Sequence, residues 1–70
     1  MYINIYEGIM GFEHALNRGY FVHPENLPLP RRGDFITLKM DKEIPTVYEI
    51  DSVLFDYEDK SISFFVHKIK

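Results

Sequence analysis

The sequence predicts a small, mainly β domain, a curled antiparallel sheet of about five strands with one short helix. Three observations carry this. Seventy residues hold a single hydrophobic core and no second domain. Period-two alternation of apolar and polar residues recurs along the chain, most clearly at its two ends and after Gly33. Cysteine is absent, so neither a disulfide framework nor a thiolate zinc site supports the fold, and five tyrosines and six phenylalanines are the material for a core.

In chain order, Tyr2 to Glu7 alternates, with Ile3 and Ile5 on one face and Tyr2, Asn4 and Tyr6 on the other. Gly8 and Gly11 break that strand. Phe12, Ala15 and Leu16 then fall at helical spacing, and Gly19 supplies a left-handed C-terminal residue, so 12–19 reads as a helix of about two turns. Tyr20-Phe-Val-His23 is a brief extended piece ended by Pro24. Pro28 and Pro30 lack amide donors and bias the residues before them to extended geometry, making Pro24 to Pro30 a stiff connector whose leucines pack one side on the sheet.

Arg31-Arg-Gly-Asp34 is a turn. Phe35 to Met40 alternates, with Ile36, Leu38 and Met40 opposite Phe35, Thr37 and Lys39. From Thr46 to Phe55 the apolar phase is held by Tyr48 and Ile50 and then slips by one to Val53 and Phe55. A slip at Asp51-Ser52 is the mark of a β-bulge, which bends a strand and lets a small sheet curl. Asp56 to Lys60 forms a hairpin loop, and Ser61 to Ile69 alternates with Ile62, Phe64 and Val66 inward. The predicted core is Ile36, Leu38, Tyr48, Ile50, Phe55, Ile62, Phe64 and Val66.

Charge and composition divide the chain near Gly33. Residues 1–33 are balanced, with three acids and three bases, and hold all four glycines and three of the four prolines. Residues 34–70 carry eight acids against five bases, so the whole net charge of −3 lies there. The reading is one barrel-like domain over 1–70: a strand, short helix and Pro-rich connector in 1–33, and a strand-rich core in 34–70. No basic, apolar and small-residue sequence of regions marks a secretory leader, and no apolar run approaches the ~20 residues of a membrane span. The expected location is the cytoplasm.

The second part resembles the small SH3-like barrels of short bacterial and phage proteins. The likeness lies in Pro30-Arg-Arg-Gly-Asp34 opening an alternating strand, the slipped Tyr48-to-Phe55 strand, the polar hairpin and the alternating last strand, and it spans residues 30–69. Such barrels act as adaptors, assembly parts and inhibitors of other proteins. The resemblance therefore implies a binding module, of bacterial, phage or mobile-element origin, and no chemistry.

The residues themselves offer little for catalysis. His14, His23 and His67 form no HxH or HxxxH pair, and a metal needs three or four converging ligands. No metal or cofactor is expected. Ser52, Ser61 and Ser63 lie outside any Gly-x-Ser-x-Gly turn, Gly8 and Gly11 are followed by no phosphate-binding Lys-Ser or Lys-Thr, and Asp56, Glu58 and Asp59 occupy a wet hairpin tip, whereas an acid–base pair needs one carboxyl in an apolar pocket. No enzyme activity and no small-molecule substrate are expected. The negative balance counts against nucleic acid and anionic membranes, since only Arg31 and Arg32 are adjacent bases.

The alternation leaves a surplus of aromatics. With the core filled, Tyr2, Tyr6, Phe35 and Phe65 point outward and Tyr57 sits at the hairpin tip, a surface that needs cover from residues 8–30 or from another molecule. The expected function is a non-enzymatic protein-binding or adaptor module, acting through Tyr2, Tyr6, Phe35, Tyr57 and Phe65 with Arg31 and Arg32 at the rim, on a protein partner or a second copy of itself. Two alternatives are a nucleic-acid-associated module, and an acidic inhibitor docking Glu49, Asp51, Asp56, Glu58 and Asp59 on a basic protein groove.

Overall fold

The computed structural model describes residues 2–8, 15–16, 21–39 and 43–69. Five strands form one curled, half-barrel sheet: β1 (Tyr2–Glu7), β2 (Phe21–Val22), β3 (Phe35–Leu38), β4 (Thr46–Asp56) and β5 (Ser61–Lys68). Across the sheet the order is β2-β1-β5-β4-β3. The sheet is mixed, which corrects the expectation of an antiparallel one. β1 and β5 run parallel, from Tyr2 beside Ser61 to Glu7 beside Val66, and the other three pairings are antiparallel. Alternation within each strand is blind to this, because side-chain period is the same in both pairings.

No helix occurs among the described residues. Of the segment read as helical, Ala15 and Leu16 are described: Ala15 bridges Tyr6 in antiparallel fashion, and the Leu16 amide donates to the Ile5 carbonyl at 2.7 Å. These two residues extend β1's outer edge pairing rather than forming a helical turn. The rest of 12–19 lies outside the described residues.

The core follows the alternation. Ile3 and Ile5 from β1, Ile62, Phe64 and Val66 from β5, and Tyr48 and Ile50 from β4 form one buried cluster, with Leu16, Leu29, Ile36, Leu38 and Val53 packed against it. Burial and the nearby Glu7 carboxylate push the Tyr48 phenol above its usual pKa, so it stays neutral at physiological pH. Leu29 is the connector leucine that reaches the core, whereas Leu27 is exposed. The expected slip is present: the β4–β5 register shifts between Ile50, opposite Val66, and Ser52, opposite Phe65, leaving Asp51 as the extra residue. Val53 and Phe55 thereby return to the inward phase. Phe55 lies too close to the strand end to be covered, however, and at 50% exposure it is not the core residue expected.

Turns are closed by local bonds. In Arg31–Asp34 the Asp34 amide donates to the Arg31 carbonyl at 2.9 Å, and the Arg31 amide donates to the Asp34 carboxylate at 2.7 Å. Gly33 stands at φ 91°, as the third position of a type II turn requires, and its amide caps the Ile50 carbonyl at 2.9 Å. A Cβ there would meet nothing within 4 Å, so the demand for glycine is conformational and not steric. In the β4–β5 hairpin the Asp56 carboxylate accepts from the amides of Glu58 and Asp59 at 3.1 and 3.0 Å.

Gly33→Ala is expected to cost about 1–2 kcal/mol, the penalty of a left-handed L-residue, read as a lower urea midpoint at unchanged slope. A midpoint equal to wild type would show that the turn relaxes without the positive φ.

Candidate functional site: the open edge of the fourth strand

The expected aromatic surface is divided by the fold. Tyr2 and Tyr6 on β1 and Phe65 on β5 share the face opposite the core, where the Tyr6 and Phe65 rings stack at 5.6 Å. Phe65 is 0% exposed, so it is packing and offers no surface to a partner. Tyr6 is half-buried, and Tyr2 remains 51% exposed. Phe35 is 62% exposed at the start of β3, at the far side of the sheet. Tyr57 is the most open, at 88%, and stacks on Phe55 at 6.4 Å. Arg31 and Arg32 are exposed on the turn before β3. The seven residues therefore do not make one patch, and the parity of alternation could not distinguish an outward side chain from a second buried layer.

A different grouping emerges beside β4. β4 is eleven residues long and β3 only four, so β3 covers β4 from Thr46 to Glu49 and no further. The last bonds on that side join the Gly33 amide to the Ile50 carbonyl and the Ile50 amide to the Asp34 carbonyl, both 2.9 Å. On β5 the Ile69 amide donates to Val47 and the Val66 carbonyl accepts from Gly8. Odd residues of β5 thus face β4 and even ones face β1. Beyond the bulge, Ser52, Leu54 and Asp56 oppose Phe65, Ser63 and Ser61 and turn their backbones to β5. The backbone groups of Val53 and Phe55 consequently face away from β5, and no backbone bond joins them to another described residue on that side.

Along this open edge lies a groove of ≈ 560 Å³, walled by Pro28–Arg32 on one side and by Asp51, Ser52, Val53 and Phe55 on the other. Phe55 also lines a second hollow of ≈ 290 Å³, formed with Asp56, Tyr57, Lys60 and Ser61. The sequence explains why the connector does not close the gap. Two of the three residues Pro28-Leu-Pro30 have no amide donor, so the segment cannot ladder onto β4 as a strand. The walls are mainly apolar, with the Arg31 and Arg32 side chains at the end near Ile50.

Asp51, the bulge residue, is already engaged: its carboxylate meets His67 Nδ1 at 2.7 Å, while His67 Nε2 lies 3.7 Å from Glu49. The three side chains share one sheet face because Glu49 and Asp51 are two residues apart on β4 and His67 lies directly opposite Glu49. The imidazole's second nitrogen faces a carboxylate, so the pair is a cross-strand ion pair and not an activated hydroxyl. The hydrogen bond to Asp51 raises the His67 pKa, desolvation partly opposes it, and the Asp51 and Glu49 charges add smaller upward effects. His23 instead uses Nε2 on the Leu27 carbonyl at 2.8 Å, and His14 lies outside the described residues. No group of three metal-ligating side chains converges among the described residues.

Comparison with family models, with curated proteins and with solved structures finds no match to this chain.

Two measurements test this geometry. Phe65→Ala is expected to lose about 3–5 kcal/mol of stability and Phe35→Ala less than about 1 kcal/mol, compared by urea unfolding; equal effects would contradict the burial difference. His67 is protonated more readily in the folded state than in the unfolded one. Its contribution is therefore complete below the unfolded pKa of about 6.5 and falls as pH rises through the higher folded value. Stability measured from mildly acidic to alkaline pH should decline over that window in wild type and flatten in His67→Gln. An imidazole NMR titration at or below the unfolded value would refute the pairing.

Proposed function

We propose that this chain is a small, non-enzymatic protein-binding module that receives an extended segment of protein along the open edge of β4. The single observation that carries this reading is the groove itself, where unpaired strand backbone at Val53 and Phe55 lies beside an apolar wall of Pro28, Leu29 and Pro30. An added strand gains affinity from main-chain bonds to Val53 and Phe55 and specificity from alternate side chains in the groove. Arg31 and Arg32 at one end favour an acidic residue on the incoming segment. Of the surface expected from sequence, Arg31, Arg32 and Tyr57 belong to this reading, and Tyr2 and Phe35 stand apart from it.

The antiparallel run β3–β4–β5 with its bulge supports keeping the SH3-like resemblance of residues 30–69 within the proposal, together with an adaptor role. The net charge of −3, with Arg31 and Arg32 the only adjacent bases in the sequence, favours a protein over a nucleic acid as the partner.

The test is an NMR titration with a library of short peptides that alternate apolar residues and carry an acidic one. Binding peptides are expected to shift the Val53 and Phe55 amides and to lose affinity in Phe55→Lys, which places a charge on the strand edge. If no peptide shifts those amides, or if the binders map to Tyr2 and Phe35 instead, the reading is wrong.

A further inference from the structure

We infer that the segment which fills this edge is the same edge of a second copy, pairing antiparallel about a two-fold axis through Leu54. The inference rests on the protein-binding reading of the groove and names its occupant. Val53 and Phe55 both turn their backbones outward, and an axis at Leu54 sets Val53 of each copy against Phe55 of the other. Each such pair exchanges an N–H and a C=O in both directions, so all four unpaired groups of each edge are satisfied at once.

Charge along the edge fits the same symmetry. One end carries Arg31 and Arg32, held there because the Gly33 amide caps Ile50. The other end carries the hairpin tip, where Glu58 and Asp59 are exposed and held by the Asp56 carboxylate. Antiparallel pairing brings the tip of each copy to the Arg31–Arg32 turn of the other, and it does so twice. Among the described residues the arginine side chains make no ion pair, whereas Asp51 at the same end is already held by His67. Lys60 weakens the acidic tip by one charge and leaves it net negative. The exposed Phe55 and Tyr57 rings, stacked on each other, travel with the tip towards the apolar wall around Pro28 and Leu29. An isologous contact needs a surface complementary to itself under rotation, and this edge has that property in backbone, charge and apolar area.

The experiment is charge reversal with complementation. Wild type is followed by sedimentation equilibrium up to about 1 mM, where even a contact of about 4 kcal/mol would populate the dimer. The doubly reversed variants Arg31→Glu/Arg32→Glu and Glu58→Lys/Asp59→Lys alter exposed side chains only, and circular dichroism checks that both fold. Each alone is expected to dimerise at least about tenfold more weakly than wild type. Their equimolar mixture is expected to recover association as a heterodimer, because one contact then pairs Glu with Lys and the other remains Arg with acid. Amide exchange at Val53 and Phe55 should slow with concentration in wild type and in the mixture. A wild-type chain that stays monomeric throughout overturns the inference, as does a dimer indifferent to both reversals or a mixture that fails to associate. If peptides still shift Val53 and Phe55 on a monomeric chain, self-pairing has failed and the protein-binding reading stands. If neither occurs, both fail.

Discussion

The structure depends on β5 being buried on both faces. Its residues from Ile62 to Val66 are all buried, which is the pattern of a central strand with cover above and below. Ile62, Phe64 and Val66 fill the inner core, and Phe65, stacked on Tyr6, anchors a second apolar layer on the opposite side. A chain this short without disulfides cannot reach a useful stability from one apolar face, since full burial of a large side chain contributes only about 1.5–3 kcal/mol. Using both faces of one strand raises the yield per residue. It also makes β5 the template for its neighbours: β1 pairs with it in parallel and β4 antiparallel, and β2 and β3 join the sheet only through those two.

The bulge at Asp51 has consequences at three levels. Locally it adds one residue to β4 and bends it. In packing, it restores the inward phase, so that Tyr48 and Ile50 before it and Val53 after it all reach the core. In backbone terms it exchanges which residues face which neighbour. Before the bulge the even residues of β4 bond towards β3; after it the odd residues face that side, at the point where β3 has ended. The Asp51 carboxylate would be an unpaired charge beside Glu49 without His67, which sits across both. Thus the residue that curls the sheet also decides which backbone groups face the open edge, and its carboxylate lies against His67.

Much of this was legible in the sequence, and the limits have physical causes. Strands at 2–7, 35–38, 46–56 and 61–68 are legible from period two, and the slip at Asp51-Ser52 marks the bulge in the sequence itself. The parallel pairing of β1 with β5 could not be read, because it joins segments nearly a chain length apart and alternation carries no direction. Phe65 lies on the outward face that alternation assigns it, but parity identifies two faces and cannot say that both are covered. Phe55 had the right parity but lies at a strand end, where phase no longer implies depth. Ala15 and Leu16 matched helical spacing, yet β1 offered them backbone partners, and pairing on an existing edge overrode a weak local preference. The groove has little linear signal, since its two walls are about 20 residues apart. The one hint was Pro28 and Pro30, whose missing donors were read as stiffness when they also prevent pairing.

A sheet edge left open needs protection, because unpaired backbone invites indiscriminate strand addition. Here the opening is short, with two outward-facing residues, Val53 and Phe55, between a bulge and a hairpin. Its ends carry opposite signs, and that selects among partners. A second edge approaching in parallel would set arginine against arginine and acid against acid, which costs free energy at both ends. Approaching antiparallel, it meets opposite charge at both. A two-fold pairing of this edge is closed, since each copy offers the stretch at Val53 and Phe55 once and uses it in the contact. Under the proposed self-pairing, the arrangement of charge around β4 favours the antiparallel direction over the parallel one.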